Sequence, residues 1–176
     1  LMGELGISEF GTGAFYDLIH SRRMMPSYNF RKTSFQDAPG LNAWHYKDKY
    51  HSIKTGCSGC HILCRKTGKD GKAIPEFEAM SHFTALIGNS NIDLVMEANR
   101  ICIETGMDTI SAASAIACYM DIKNLSFPDI DLIQLLNDTA YSKGDGILLK
   151  TGSKKTAEAL GKPEASMSVK GLDLPA

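Results

Sequence analysis

The sequence predicts a mainly α, multihelical domain, on three observations. Apolar residues recur at intervals of three and four through the middle and final thirds, with capping residues where each pattern starts and glycines where several stop. Strand alternation is unconvincing: Gly146 to Lys150 and Met167 to Val169 hint at extended chain, but both are too short and solitary to build a sheet. The composition, 43% hydrophobic and 22% charged over 176 residues, is that of one globular domain. No repeat, low-complexity segment or linker divides it, so residues 1–176 read as a single domain.

Taken in order, Phe10 to His20 carries Phe10, Ala14, Phe15, Leu18 and Ile19 at helical spacing, and Arg22-Arg23 and Pro26 end it. Asn29, Asp37, Pro39 and Gly40 make Ser27 to Gly40 an irregular connection, and Leu41 to Tyr50 forms a second amphipathic helix carrying Trp44. Gly56, Gly59, Gly68 and Gly71 surround a cysteine cluster and mark a loop, since glycine permits positive φ. Pro75 opens a helix at its first position, with Glu76 and Glu78 in the first turn and Met80, Phe83, Ala85, Leu86 and Ile87 buried up to Gly88. After Asn89, Ser90 and Asn91, each able to cap, Leu94, Val95, Ala98, Ile101 and Cys102 define a helix closed by Gly106. Asp108 N-caps Thr109 to Lys123, whose alanines and serines imply close packing at depth. Ile130, Leu132, Ile133, Leu135 and Leu136 run toward Tyr141, and Thr156 to Leu160 adds a shorter piece.

Charge and hydropathy exclude some functions. Nineteen Lys and Arg against twenty Asp and Glu leave a net charge of −1, so no global positive field exists to hold nucleic acid or anionic lipid. The longest apolar-and-small run, Ile110 to Met120, ends at Asp121, short of the roughly 20 residues a membrane span needs. The first residues lack the basic and apolar regions of a secretory signal, so a cytoplasmic setting is expected. The start at Leu1 and the segment Lys170 to Ala176, whose apolar residues need cover, read as those of a piece excised from a larger protein.

Five cysteines divide unevenly. Cys102 and Cys118 stand alone in apolar stretches and read as small buried residues, while Cys57, Cys60 and Cys64 cluster. An odd count without a signal is no disulfide framework; it points to metal or redox chemistry. Zinc could take the three sulfurs with His61, although structural zinc sites usually pair two distant knuckles. Cys57-Ser-Gly-Cys60-His61 is also the attachment signature of a c-type haem, for which Cys64 is superfluous. A [4Fe–4S] cluster takes four thiolates, often three from a compact run and one from afar, and Cys102 and Cys118 qualify for that corner only by count. Unligated thiols in a loop are the fourth reading, and these would oxidise without serving packing.

Several segments in order resemble the tungsten-containing aldehyde ferredoxin oxidoreductase family: Met25-Pro-Ser-Tyr-Asn-Phe30, Cys57-x-x-Cys60-x-x-x-Cys64, Pro75-Glu-Phe-Glu78, Gly88-Asn89 with Ile92-Asp93, Gly106-Met-Asp-Thr-Ile-Ser111 and Lys170-Gly-Leu-Asp-Leu-Pro175. The resemblance implies the central helical domain of a cytoplasmic enzyme of anaerobes, with an N-terminal sheet domain and a C-terminal helical domain elsewhere. It implies a tungsten, less often molybdenum, bis-pterin beside a [4Fe–4S] cluster. Small aldehydes would be oxidised to acids, electrons would pass to ferredoxin, and a homodimer is allowed. Cys57, Cys60 and Cys64 would be three cluster ligands, with the fourth on the C-terminal domain. Glu78 would give or take a proton near the metal, and Asp108 would accept hydrogen bonds from the pterin amino and ring N–H groups. Helix-dipole and capping roles also account for these two carboxylates.

Three positions depart from the family pattern. Ile103 stands where a further pterin-binding Asp is usual. Glu97 and Arg100 replace a Glu-x-x-His metal site at a dimer contact, and since Arg cannot ligate, no metal is expected there. His61 stands where Pro is common. Lys47, Lys49, Lys54, Arg65, Lys66, Lys69 and Lys72 crowd the cysteines and would steer an acidic ferredoxin, or equally form an ordinary solvated loop. The alternative function is a non-catalytic iron–sulfur electron-transfer or zinc-binding module. In either case the isolated chain is expected to be inactive toward aldehydes and to bind iron weakly or not at all.

Overall fold

A computed structural model describes residues 6–176; residues 1–5, with the Leu1 start, lie outside the described residues. The helices are α1 (Ile7–Phe10), α2 (Phe15–Ser21), α3 (Ala43–Tyr50), α4 (Phe77–Ser81), α5 (Ile92–Thr105), α6 (Thr109–Lys123), α7 (Leu132–Tyr141), α8 (Gly146–Leu149) and α9 (Gly152–Ala159). Two small antiparallel hairpins accompany them: β1 (Ile53–Thr55) with β2 (Arg65–Thr67), and β3 (Ser168–Val169) with β4 (Leu172–Asp173). The mainly helical expectation holds.

Helix α6 is the axis of the core. Every residue from Ala112 to Met120 is buried, so the helix is enclosed on all sides by α4, α5, α8 and α9. Its alanines let those neighbours approach closely. The expected caps are present: Asp108 Oδ2 accepts from the Ser111 N–H at 2.7 Å, Asn91 Oδ1 accepts from the Asp93 N–H at 2.9 Å, and Gly106 ends α5 at φ 72°. Between Gly106 and Asp108 the chain turns sharply, and α5 and α6 meet at 119°. Gly146 lets α8 cross α7: a Cβ there would sit 2.1 Å from the Asp138 carbonyl carbon and 2.3 Å from the Thr139 nitrogen.

Three expectations are corrected. The helix expected over Phe10 to His20 breaks at Gly11 (φ 70°, ψ −165°) into α1, a 3-10 turn at Thr12–Ala14, and α2. Pro75 is not the first helical residue. Glu76 is the extended N-cap (ψ 170°), α4 starts at Phe77, and the Phe77 N–H is satisfied by Thr12 Oγ1 at 3.0 Å. The cysteine region is the tip of a hairpin as well as a loop, with Thr55 Oγ1 and Thr67 Oγ1 bonded across the strands at 3.0 Å. Of the two extended hints, Met167 to Val169 contributes β3, while Gly146 to Lys150 is helical because α8 packs there.

Helix α4 continues into a π-helical turn, His82–Leu86. The carbonyls of Ala85 and Leu86 take the N–H groups of Tyr28 and Asn29 at 3.0 and 2.9 Å. This helps hold Tyr28, Asn29 and Phe30 in a left-handed run with φ between 51° and 63°. Among the described residues no single helix is long and apolar enough to cross a membrane.

His82 is fully buried in this turn, with Nδ1 bonded to the Glu78 carbonyl at 2.6 Å and Nε2 accepting from the Ala176 N–H at 3.0 Å. Burial lowers its pKa below the ordinary 6.5. The unfolded chain therefore binds a proton here before the folded chain does. The contribution is complete above about pH 6.5 and is lost as pH falls toward the lower folded value. The thermal midpoint should decline from pH 6.5 to about 5, and His82→Asn should flatten that decline. An equal slope in both proteins would remove His82 as its cause.

Candidate functional site

Cys57, Cys60 and Cys64 lie in the loop 56–64 that joins β1 to β2. Cys57 is exposed and the other two are half-buried. The loop carries all three thiols, but among the described residues no three Cys, His, Asp or Glu side chains converge where a metal ion could sit. Backbone structure nevertheless prepares one of the sulfurs, that of Cys60. The N–H groups of Ile62 and Leu63 point at Cys60 Sγ and hold that thiol below its usual pKa, favouring the thiolate that any metal ligand must be. Three soft sulfurs, one of them supported by backbone N–H groups, suit an iron–sulfur centre, and they also suit zinc. Cys102 and Cys118 are buried as expected, and burial pushes their thiols up to about 12 and about 11, so both stay protonated near neutrality.

Two residues anchor the loop from beneath. Lys66 is only 5% exposed, and its Nζ donates to the carbonyls of Leu63 at 2.6 Å and Arg65 at 3.1 Å. Burial lowers its pKa, while the neighbouring Cys64 opposes that shift. Gly11 lies so close that a Cβ would approach the Cys64 carbonyl oxygen to 2.5 Å. The same N-terminal strip ties the loop to the next element: Glu9 pairs with Lys47 and Lys54, and Thr12 caps α4.

Beside this hairpin opens a cleft of about 570 Å³, bordered by Thr55, Lys66, Glu78, Asn99, Ile103 and Asp108 among others. It brings Glu78, in the first turn of α4, and Asp108, at the corner between α5 and α6, into one space at the foot of the cysteine hairpin. Both carboxylates are exposed toward it, so Glu78 is not the shielded acid that a deep catalytic position would suggest. Asp108 also borders a second cavity of about 350 Å³ beside Thr139 and Lys150.

The anchoring role of Lys66 is not signalled by its place among seven cations in the sequence. Asn99, which also borders the cleft, lies four residues after Val95 and three before Cys102 on the apolar stripe of α5. The expected basic surface is partly paired with acids, five cations sharing four carboxylates. Lys47 and Lys54 pair with Glu9, Lys49 with Asp93, Arg65 with Glu76 and Lys72 with Asp70, and Lys66 is buried. Arg100 holds the Glu97 carboxylate through Nε at 2.9 Å and Nη2 at 2.5 Å, and also pairs with Glu104.

Residues 2–176 match the family model described as aldehyde ferredoxin oxidoreductase, domains 2 & 3. The chain belongs to the aldehyde ferredoxin oxidoreductase family. The tungsten-containing aldehyde ferredoxin oxidoreductase of Thermococcus kodakarensis is 30% identical to it over 97% of this chain and 31% of its own length. That of Pyrococcus furiosus is 28% identical over the same shares, and that of Pyrococcus abyssi is 25% identical over 97% of the chain and 32% of its own length. The chain thus spans about a third of the curated relatives it matches. The helical architecture agrees with that membership in the aldehyde ferredoxin oxidoreductase family.

Proposed function

We propose that this chain forms the helical wall of a tungsten-pterin oxidoreductase that converts aldehydes to carboxylic acids. Cys57, Cys60 and Cys64 hold three corners of a [4Fe–4S] cluster, Asp108 binds the pterin, and Glu78 handles a proton. The observation that carries this reading is the cleft that Glu78 and Asp108 both border at the foot of the cysteine hairpin. When bound, the tungsten or molybdenum bis-pterin supplies the two-electron oxidation, and the cluster divides it into single-electron transfers to ferredoxin.

The chain's own residues do the remaining work. Aldehyde and water give acid, two electrons and two protons, so a carboxylate open to the cleft has a proton to accept, and Glu78 stands there. The carbonyl of Glu78 is held by His82, which fixes the turn that presents the carboxylate. Asp108 uses one oxygen to cap α6, and its carboxylate suits the paired N–H donors of a pterin edge. The N–H groups around Cys60 stabilise negative charge on sulfur. The fourth cluster ligand and the other pterin contacts come from the rest of the same polypeptide. The setting is cytoplasmic, and a homodimer fits the reading. With most of the cations beside the loop paired, ferredoxin docking rests less on charge steering than their number suggests.

The test is metal and pterin analysis of the complete gene product, purified without oxygen. It should carry the iron of one cubane, tungsten or molybdenum with pterin, and aldehyde-dependent reduction of ferredoxin. Stoichiometric zinc with neither iron nor pterin would establish a zinc-binding module instead, and iron without pterin an electron-transfer module.

A further inference from the structure

We propose that Lys66 raises the reduction potential of the cluster held by Cys57, Cys60 and Cys64, acting as a fixed positive charge beneath Cys64. The inference rests on the functional reading above and gives a role to a residue that is not a cluster ligand. Lys66 Nζ donates to the carbonyls of Leu63 at 2.6 Å and Arg65 at 3.1 Å, the residues on either side of Cys64. The ammonium therefore straddles that ligand, and it holds the carbonyl of Leu63, whose backbone is left-handed at φ 50°. Lys66 is only 5% exposed and also borders the cleft of Glu78 and Asp108, so its charge lies between that cleft and the cysteine loop.

The neighbouring cations differ from it. Lys54 pairs with Glu9 and Arg65 with Glu76, all on exposed side chains, so these fields are offset nearby and screened by salt. Lys66 pairs with no carboxylate among the described residues, and its two partners are neutral carbonyls. Its charge is therefore the one that the loop feels most directly. An electron entering the cluster adds one unit of negative charge to the iron and sulfur, with no bond made or broken. That electron comes from the aldehyde by way of the bis-pterin and leaves to ferredoxin. A cation held against the loop, where water screens it little, favours the reduced form.

The experiment is a redox titration of the complete enzyme, purified without oxygen, reading the reduced cluster by its paramagnetic resonance and the iron content beside it. Lys66→Gln removes the charge but keeps an N–H donor for the loop. It should retain iron and disfavour reduction about tenfold, a shift of about 59 mV to lower potential for one electron. Lys66→Arg, which keeps the charge, should stay at the parent's potential, as should Lys54→Gln, whose charge is offset by Glu9. An unshifted potential in an iron-loaded Lys66→Gln, or an equal shift in Lys66→Arg or Lys54→Gln, would overturn this inference and leave the functional reading standing. Loss of iron from both Lys66→Gln and Lys66→Met would make the residue a strut of the loop and overturn the inference as well. A parent without a cubane signal would overturn both.

Discussion

Replacing Gly11 with alanine is expected to lower the thermal midpoint by roughly 10 °C and to strip iron from the complete enzyme. Two independent costs meet at this residue. Its backbone lies at φ 70°, ψ −165°, a region closed to side-chain-bearing residues at a cost of about 1–3 kcal/mol. A Cβ would also approach the carbonyl oxygen of Cys64 to 2.5 Å. That oxygen belongs to the backbone, so relief requires moving Cys64 itself, and overpacking of this kind costs about 1–3 kcal/mol more. Gly40→Ala is the control, since Gly40 has no heavy atom within 4 Å of an added Cβ and no left-handed φ. A Gly11→Ala protein with the parent's midpoint and full iron would show that the loop does not depend on this contact.

Serine at any one of Cys57, Cys60 or Cys64 is expected to remove most of the cluster's iron from the complete enzyme, together with its visible charge-transfer absorption. A serine hydroxyl remains protonated near neutrality and cannot replace a soft thiolate. Cys102→Ala and Cys118→Ala should keep the iron, because burial holds both thiols protonated at pKa values of about 12 and about 11. Loss of iron from either alanine variant with folding intact would reassign the missing corner to this chain. Retention of the full spectrum in any of the three serine variants would dismiss the loop as the cluster's holder.

Much of this architecture was legible from the residues alone, where the determinants are local. Asn91, Gly106 and Asp108 set the ends of α5 and α6 because capping is decided within one turn of chain. The burial of Cys102 and Cys118 followed from their apolar neighbours. The cysteine spacing, with the other segments, carried the family resemblance, and the roles assigned to Glu78 and Asp108 came through that resemblance. The hairpin beneath the cysteines escaped notice because strands of three residues joined by a long loop carry neither alternation nor a tight-turn signature.

What only the folded chain decided depends on contacts between distant segments. Gly11 breaks a helical pattern because Cys64 lies against it, and Pro75 is left outside α4 as Thr12 receives the Phe77 N–H. Lys66, one of seven cations in its neighbourhood by sequence, is buried under the loop, and five others are matched with acids. Asn99 is polar on an apolar stripe, and it borders a cleft only because α4, α5 and the hairpin come together. Periodicity and capping are properties of neighbouring residues, so the sequence alone determined where α5, α6 and α7 run. Burial of charge and pairing of polar groups depend on which segments meet, and tertiary structure alone decides that.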